Sequence, residues 1–210
     1  CKGVSTRMPD IVSLVLKAIN SAALVQVEVS ARHVHLAAED VEALFGKGEG
    51  LTSAKQLSQP GEYLSEERVC LIGPKGRLDN IAVLGPVRSR TQIELSRSDA
   101  IAIGVPAPLR ESGDLDGSAQ VTIEGPKGSI TALHGAIVAQ RHVHVPPDVA
   151  EIHGFHDKER VSVQLYTDRP VILQDVILRV GDNYRYKMHI DFDEANAAGV
   201  SGFTLGRILR

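Results

Sequence analysis

The tetrapeptide Arg32-His33-Val34-His35 returns as Arg141-His142-Val143-His144. Residues two apart on an extended strand share a face, so each His-x-His pair aims two imidazoles at one point. Imidazole is the side chain most used for zinc and related divalent metals, and the recurrence of all four residues points to chelation. Polar residues on exposed strand faces are the alternative that spacing alone leaves open.

A second regularity surrounds the first. His35, Glu94, His144 and His189 each precede a short polar segment and then a glycine, Gly46, Gly104, Gly154 and Gly199, at intervals of 11, 10, 10 and 10 residues. Each segment reads as a strand end, a Ser-, Asp- or Pro-rich helix start, a short helix and a glycine suited to the left-handed C-terminal position. One local unit used four times, with a metal ligand before each helix, gives six ligands: His33, His35, Glu94, His142, His144 and His189. Six exceeds one four-coordinate zinc, so two metals are the natural count, His33, His35 and Glu94 for one and His142, His144 and His189 for the other. Each trio leaves positions open to water or substrate, the mark of a catalytic site. Arg88 shares strand parity with Glu94 and offers a bidentate fork for an oxyanion, although an Arg–Glu surface pair fits the same spacing. These residues specify a metal-dependent enzyme acting on an oxyanion or acyl substrate; ligands alone do not separate a hydrolase from a transferase.

The elements that must position them are mostly strands. The 210 residues make one large domain or two small ones, and 43% hydrophobic content suffices for a core. Aromatic content is 4% with no Trp, so Val, Ile, Leu and Ala carry that core. Val- and Ile-rich runs punctuated by 19 Gly and 10 Pro favour a mainly β fold with short helices. A net charge of −3 argues against a general nucleic-acid binder. No apolar stretch reaches the roughly 18 residues of a membrane-spanning helix. Two cysteines, Cys1 and Cys70, are too few for a disulfide framework and suit a reducing compartment. The chain starts on Cys1 and not on Met, as a piece of a longer chain would.

Residues 9–24 have the pattern of an amphipathic helix opening at Pro9, which either docks on its own domain or a dimer partner or serves as a detachable targeting or assembly helix. Residues 25–35 alternate, with Val25, Val27, Val29, Ala31, His33 and His35 on one parity; an uninterrupted strand would carry both histidines on its inward face. Residues 47–67 read as an irregular excursion. Gly73-Pro74-Lys75-Gly76 and Gly125-Pro126-Lys127-Gly128 end strands and read as hairpin turns, not phosphate cradles. Cys70, inside a strand, reads as a small buried apolar residue. His134, His153 and His156 read as structural or surface residues.

At these residues the chain resembles the PduL-type phosphotransacylases, the phosphate propanoyltransferases of bacterial microcompartments and their relatives. The resemblance runs from about Val25 to the end. It rests on the two Arg-His-Val-His runs, Leu57-Ser58-Gln59-Pro60-Gly61, Leu84-Gly85-Pro86-Val87-Arg88, Ser112-Gly113-Asp114-Leu115 and His189-Ile190-Asp191-Phe192-Asp193-Glu194-Ala195-Asn196. It implies the interconversion of acyl-CoA plus phosphate with acyl phosphate plus CoA, propanoyl-CoA being the usual substrate, at two zinc ions in a cleft between two small β-barrels. One barrel would take residues 25–31 and 140–210, the other 32–139. By the same resemblance Arg88 binds phosphate, and Ser30, Lys55, Leu84 and Asn196 lie near CoA. Phosphate then attacks the thioester directly, an acyl-Cys70 intermediate being the competing route. The resemblance also implies a homodimer and a microcompartment lumen reached through the helix at 9–24, with a cytoplasmic relative making acetyl phosphate as the alternative. A dizinc hydrolase and a metal-stabilised binding module are the rival readings.

Overall fold

The computed structural model describes residues 10–210. Cys1, Pro9 and the side chain of Ile19 lie outside the described residues. The order of elements is α1 (Ile11–Ser21), β1 (Leu24–Val29), β2 (His33–His35), α2 (Ala38–Phe45), β3 (Ser53–Gln56), β4 (Tyr63–Gly73), β5 (Gly76–Gly85), β6 (Gln92–Leu95), α3 (Arg97–Ile103), β7 (Leu109–Arg110), β8 (Ala119–Glu124), β9 (Ser129–Ala139), β10 (His142–Val145), α4 (Pro147–His153), β11 (Arg160–Tyr166), β12 (Ile172–Val180), β13 (Lys187–Ile190), α5 (Phe192–Ala198) and β14 (Thr204–Leu209).

The strands close into two six-stranded barrels. The first runs β1-β13-β10-β12-β11-β14 and back to β1. The second runs β4-β5-β2-β6-β9-β8, and the β4–β8 pairing completes its ring, with β3 and β7 appended at β4 and β9. Closure leaves few free strand edges, which suits a chain built from short Val- and Ile-rich strands. Each barrel has its own apolar interior: Val25, Val27, Val143, Val145, Val163, Leu178, Met188 and Ile190 in the first, and Val34, Leu36, Leu71, Ile81, Val83, Ile93, Leu95 and Ile123 in the second.

The chain crosses between barrels twice, at Ser30–Arg32 and near Gln140–Arg141. The first crossing corrects the reading of residues 25–35 as one strand. Val25 and Val27 are buried in the first barrel, but in the second the buried core residues are Val34 and Leu36, of the opposite parity. His33 and His35 therefore point out of their own barrel, and the same alternation turns His142 and His144 away from Val143 and Val145. Periodicity cannot see this shift, because the turn that interrupts the strand contains no glycine or proline.

Both Gly-Pro-Lys-Gly runs are hairpin turns, and each also ends a helix. The Lys75 amide donates to the Ile103 carbonyl at 3.0 Å and the Lys127 amide to the Leu44 carbonyl at 3.0 Å, closing the C-termini of α3 and α2. The approach is close enough that a Cβ on Gly73 would lie 2.2 Å from the Ile103 oxygen, and one on Gly125 2.6 Å from the Leu44 oxygen. The segment 47–67, expected to be irregular, holds β3 and the start of β4, and only Leu57–Glu62 loops between them. Gly46, expected to be left-handed, has φ 123° and ψ 154°, whereas Gly104, Gly154 and Gly199 are left-handed as the pattern required.

Helix α1 touches β1 and α4, yet Ile11, Val12, Leu14, Val15 and Leu16 are all exposed. Among the described residues no helix is long and apolar enough to cross a membrane.

Candidate active site

The four repeated units converge because of strand register. His33 lies directly opposite Glu94 in the antiparallel β2–β6 pair, and His142 directly opposite His189 in the antiparallel β10–β13 pair. Cross-strand partners of this kind sit with Cβ atoms about 5 Å apart, and the second histidine of each pair follows two residues along on the same face. Each of the four helices then begins three residues past its ligand, at Ala38, Arg97, Pro147 and Phe192. The ligands face out of their barrels and stay largely buried, His33 at 7% and His35 at 3% exposure, because the other barrel covers them.

The arginines of the two tetrapeptides are explained by the same symmetry. Arg32 pairs with Asp99 at 2.6 Å and Arg141 with Glu194 at 2.7 Å. Both acids lie in a helix, α3 or α5, five residues past the ligand that faces the arginine's own histidine pair. Each arginine thus ties the helix after one ligand strand to the start of its neighbour. The barrels also hold each other directly, through the Ser98 amide to the Asp193 carboxylate at 2.7 Å and through an ion pair between Lys158 and Glu111.

His33, His35 and Glu94 form a trio whose ligand atoms all lie within 4.8 Å of one another. His33 and His142 are fixed alike: Nδ1 of each lies against a backbone carbonyl two residues earlier, Ala31 at 2.7 Å and Gln140 at 2.9 Å, which leaves Nε2 for a ligand. His35 and His144 are also alike, each with a buried Nδ1 that has no partner. A buried ring nitrogen without a hydrogen bond is costly, and its recurrence at the same place in both clusters is a cost that a bound metal ion would relieve. The rings of His142, His144 and His189 cluster with centroids 4.7–5.2 Å apart, and Tyr184 stacks on His144 at 4.1 Å.

Electrostatics keep the donors in the ligating form. Burial pushes His35 and His142 below the ordinary histidine range, His144 down to about 2 and His189 down to about 3, with neighbouring imidazoles adding to the fall at His35, His144 and His189. Burial raises Glu94, but His33 and His35 outweigh it and hold the carboxyl at about 2. His35, His142, His144 and His189 are therefore neutral and the Glu94 carboxylate ionised at pH 7, which is the protonation a metal would demand.

The cleft between the barrels has a volume of about 990 Å³ and is lined by residues of both trios. Of the positions read from the sequence, Ser30, Lys55, Leu84 and Arg88 line it. Asn196 does not: it is exposed on α5, away from the lining. The Arg88 guanidinium approaches Glu62 at 3.4 Å and Ser112 at 3.5 Å. Cys70 is half-buried on β4 beside Arg77, outside the cleft.

Gln92 was not singled out as a site residue, and it is central. It stands opposite His35, is 2% exposed, and donates from Nε2 to Glu94 at 2.6 Å and to Ser112 at 2.8 Å while accepting from the Gly113 amide at 2.8 Å. Its parity with Glu94 was the available signal. Gln59 was also missed; it clamps the Arg185 backbone from across the cleft and reaches His189 at 3.4 Å. Lys187, which occupies in the first barrel the place of Gln92 opposite His144, pairs instead with Glu28 at 3.0 Å.

Comparison with known proteins agrees with this architecture. A family model described as phosphate propanoyltransferase matches residues 26–201. The chain is 44% identical over 201 residues to the phosphate propanoyltransferase of Clostridioides difficile, covering 96% of each chain. It is 49% identical over 173 residues to that of Thermotoga maritima, covering 82% of each, and 45% identical over 186 residues to that of Listeria monocytogenes, covering 89% of this chain and 87% of the relative. With a match over most of its length and identities well above the level at which families separate, the chain belongs to the phosphate propanoyltransferase family of acyltransferases.

Proposed function

We propose that the chain interconverts propanoyl-CoA plus inorganic phosphate with propanoyl phosphate plus CoA, a phosphate oxygen attacking the thioester carbonyl directly. The observation that carries this reading is the convergence on one cleft of His33, His35 and Glu94, whose ligand atoms lie within 4.8 Å of one another, and of the His142, His144 and His189 rings, with the Arg88 guanidinium at its wall. His33, His35 and Glu94 would hold one zinc ion, and His142, His144 and His189 a second. Zinc bound there supplies Lewis acidity and an acceptor for a departing thiolate.

The chain's own residues supply the rest. Arg88 offers its fork to the phosphate; its contacts with Glu62 and Ser112 are long, so an incoming dianion competes with them readily. Phosphate held beside the thioester gains the advantage of proximity, and Arg88 offsets negative charge that builds on the reacting oxygens. A C–O bond forms, the C–S bond breaks, and the electron pair leaves on sulfur. Ser30, Lys55 and Leu84, which line the cleft, would touch CoA, as by resemblance would Asn196. Direct attack is favoured over an acyl-cysteine because Cys70 lies outside the cleft and burial raises its thiol above the ordinary range. We also assign α1, with its exposed Ile11, Val12, Leu14, Val15 and Leu16, as the segment that addresses the enzyme to a microcompartment lumen, and expect a homodimer.

The test is thiol release from propanoyl-CoA by zinc-replete protein, with and without inorganic phosphate, alongside His33→Ala and Arg88→Ala. Release that requires phosphate and is lost in both variants is expected. Release indifferent to phosphate makes the protein a hydrolase and refutes the proposal. Cys70→Ala keeps near-normal turnover; loss of activity together with a trapped acylated wild-type enzyme refutes direct attack.

A further inference from the structure

Arg179 stands on β12 directly opposite His144, in the parallel pairing that sets Ile177 against His142. The matching pairing in the second barrel sets Ala82 against His33 and Val83 against Val34, so that Leu84 takes the place beside His35 that Arg179 takes beside His144. The two barrels repeat each other in strand register around their trios, with His189 in place of Glu94 and Lys187 in place of Gln92. Here an apolar residue in one is a guanidinium in the other.

The surroundings of that guanidinium are unusual for an arginine at a cleft wall. Arg179 is half-buried and lines the cleft with His142, His144, Asn183 and Tyr184. Among the described residues it enters no ion pair, whereas Arg32 and Arg88, the other arginines lining the cleft, each have a carboxylate partner. It lies over the Tyr184 ring at 5.8 Å from the centroid, and the same ring stacks on His144 with 13° between planes. Tyr184 therefore orients both side chains, and holds the guanidinium without neutralising it. An oriented, uncompensated guanidinium beside a ligand cluster is an anion site, because its fork of donors matches the oxygens of a phosphate.

We propose that Arg179 is a second phosphate-binding residue of the acyl transfer, gripping the phosphoryl oxygens from the first barrel while Arg88 holds them from the second. This rests on the transfer reading given above. The phosphate in question is the inorganic or acyl phosphate; the phosphates of CoA share its chemistry, and kinetics separate the two sources.

The experiment compares wild type, Arg179→Gln and Arg179→Lys as zinc-replete proteins, with zinc content measured for each. Arg179→Gln raises KM for phosphate roughly 10- to 100-fold, the loss expected for one charge-assisted contact, and leaves KM for propanoyl-CoA unchanged. Arg179→Lys recovers part of the loss, since it keeps the charge without the fork. If Arg179→Gln loses zinc or fails to fold, Arg179→Lys decides alone, by a several-fold rise in KM for phosphate. An unchanged KM for phosphate overturns the proposal, and so does a rise confined to propanoyl-CoA, which would give Arg179 to the CoA phosphates. Thermal stabilisation by inorganic phosphate is read in parallel and requires no turnover. If wild type shows no phosphate-dependent thiol release, the transfer reading fails; Arg179 as an anion site then stands if phosphate stabilises wild type but not Arg179→Gln, and falls if both respond equally.

Discussion

Replacing Gln92 by Leu tests how the first trio is held. The amide makes one bond to an ionised carboxylate, Glu94 at 2.6 Å, and two neutral bonds, with Ser112 and the Gly113 amide. A bond to a charged group contributes about 1.5–3 kcal/mol and a neutral one about 0.5–1.5 kcal/mol, so the loss comes to about 2.5–6 kcal/mol. The side chain is 2% exposed, so water cannot replace the amide and the Glu94 oxygen is left short of a donor. In a domain of this size that corresponds to a fall in Tm of roughly 5–20 °C. Loss of a residue that orients a metal ligand also weakens metal binding roughly 10- to 100-fold. Scanning calorimetry of the zinc-stripped protein reads the first effect, and competition with a zinc chelator reads the second. Ser112→Ala alone costs less, and in the Gln92→Leu background costs almost nothing, because the Gln92–Ser112 bond is already gone. A Gln92→Leu protein with wild-type Tm and wild-type zinc affinity would refute the argument that this amide positions Glu94.

The zinc-stripped protein loses stability as pH falls below about 6.5, since the unfolded chain takes up protons on histidines that the folded chain holds depressed; each contributes up to about 1.4 kcal/mol per pH unit. Urea midpoints at pH 7 and pH 5 measure this, and equal midpoints contradict it. Glu94, depressed to about 2, acts in a separate window, its stabilisation present above its ordinary value of 4.5 and lost as pH falls towards 2. Gly73→Ala drives a methyl carbon to 2.2 Å from the Ile103 oxygen and displaces the turn that ends α3, at a cost of about 1–3 kcal/mol in urea titration; wild-type stability would show that the hairpin and helix do not touch in solution. Arg141→Met breaks the mostly buried pair with Glu194 and leaves a carboxylate that burial already raises, with a loss of about 1–3 kcal/mol at pH 7 that shrinks as pH falls, because protonation of Glu194 removes the unpaired charge; equal urea midpoints for variant and wild type at pH 7 would rule out the pairing.

The local units were legible in the sequence because each is set by neighbours in the chain. The positions of His35, Glu94, His144 and His189 before four short helices, the left-handed glycines at 104, 154 and 199, and the two Gly-Pro-Lys-Gly turns all follow from spacing. Register between distant strands was not legible from residue types. Nothing near His33 announces that Glu94 lies opposite, and only the repeat suggested that these positions share a site. The inward alternation of residues 25–35 was misleading for the same reason: three residues without glycine or proline carry the chain from one barrel to the other and reverse its parity. Gln92 and Arg179 escaped because a polar residue on a strand is usually solvated, and only the fold buries Gln92 and brings Arg179 to the cleft wall. Asn196 came from the resemblance alone, and it lies exposed on α5.

The two crossings impose an order on how the enzyme comes into being at the ribosome. All the strands of the second barrel, from His33 to Ala139, are contiguous in the chain and can close while synthesis continues. The first barrel cannot, since β1, among the earliest residues made, finds its partners only in β13 and β14, among the last. Until those strands emerge, β1 trails from a finished domain with Val25 and Val27 uncovered, and the face of that domain carrying His33, His35 and Glu94 looks onto open solvent. A chain cut short anywhere before β13 therefore lacks His189 and the barrel that lies over His33, His35 and Glu94, so the cleft takes shape only when the final strands arrive.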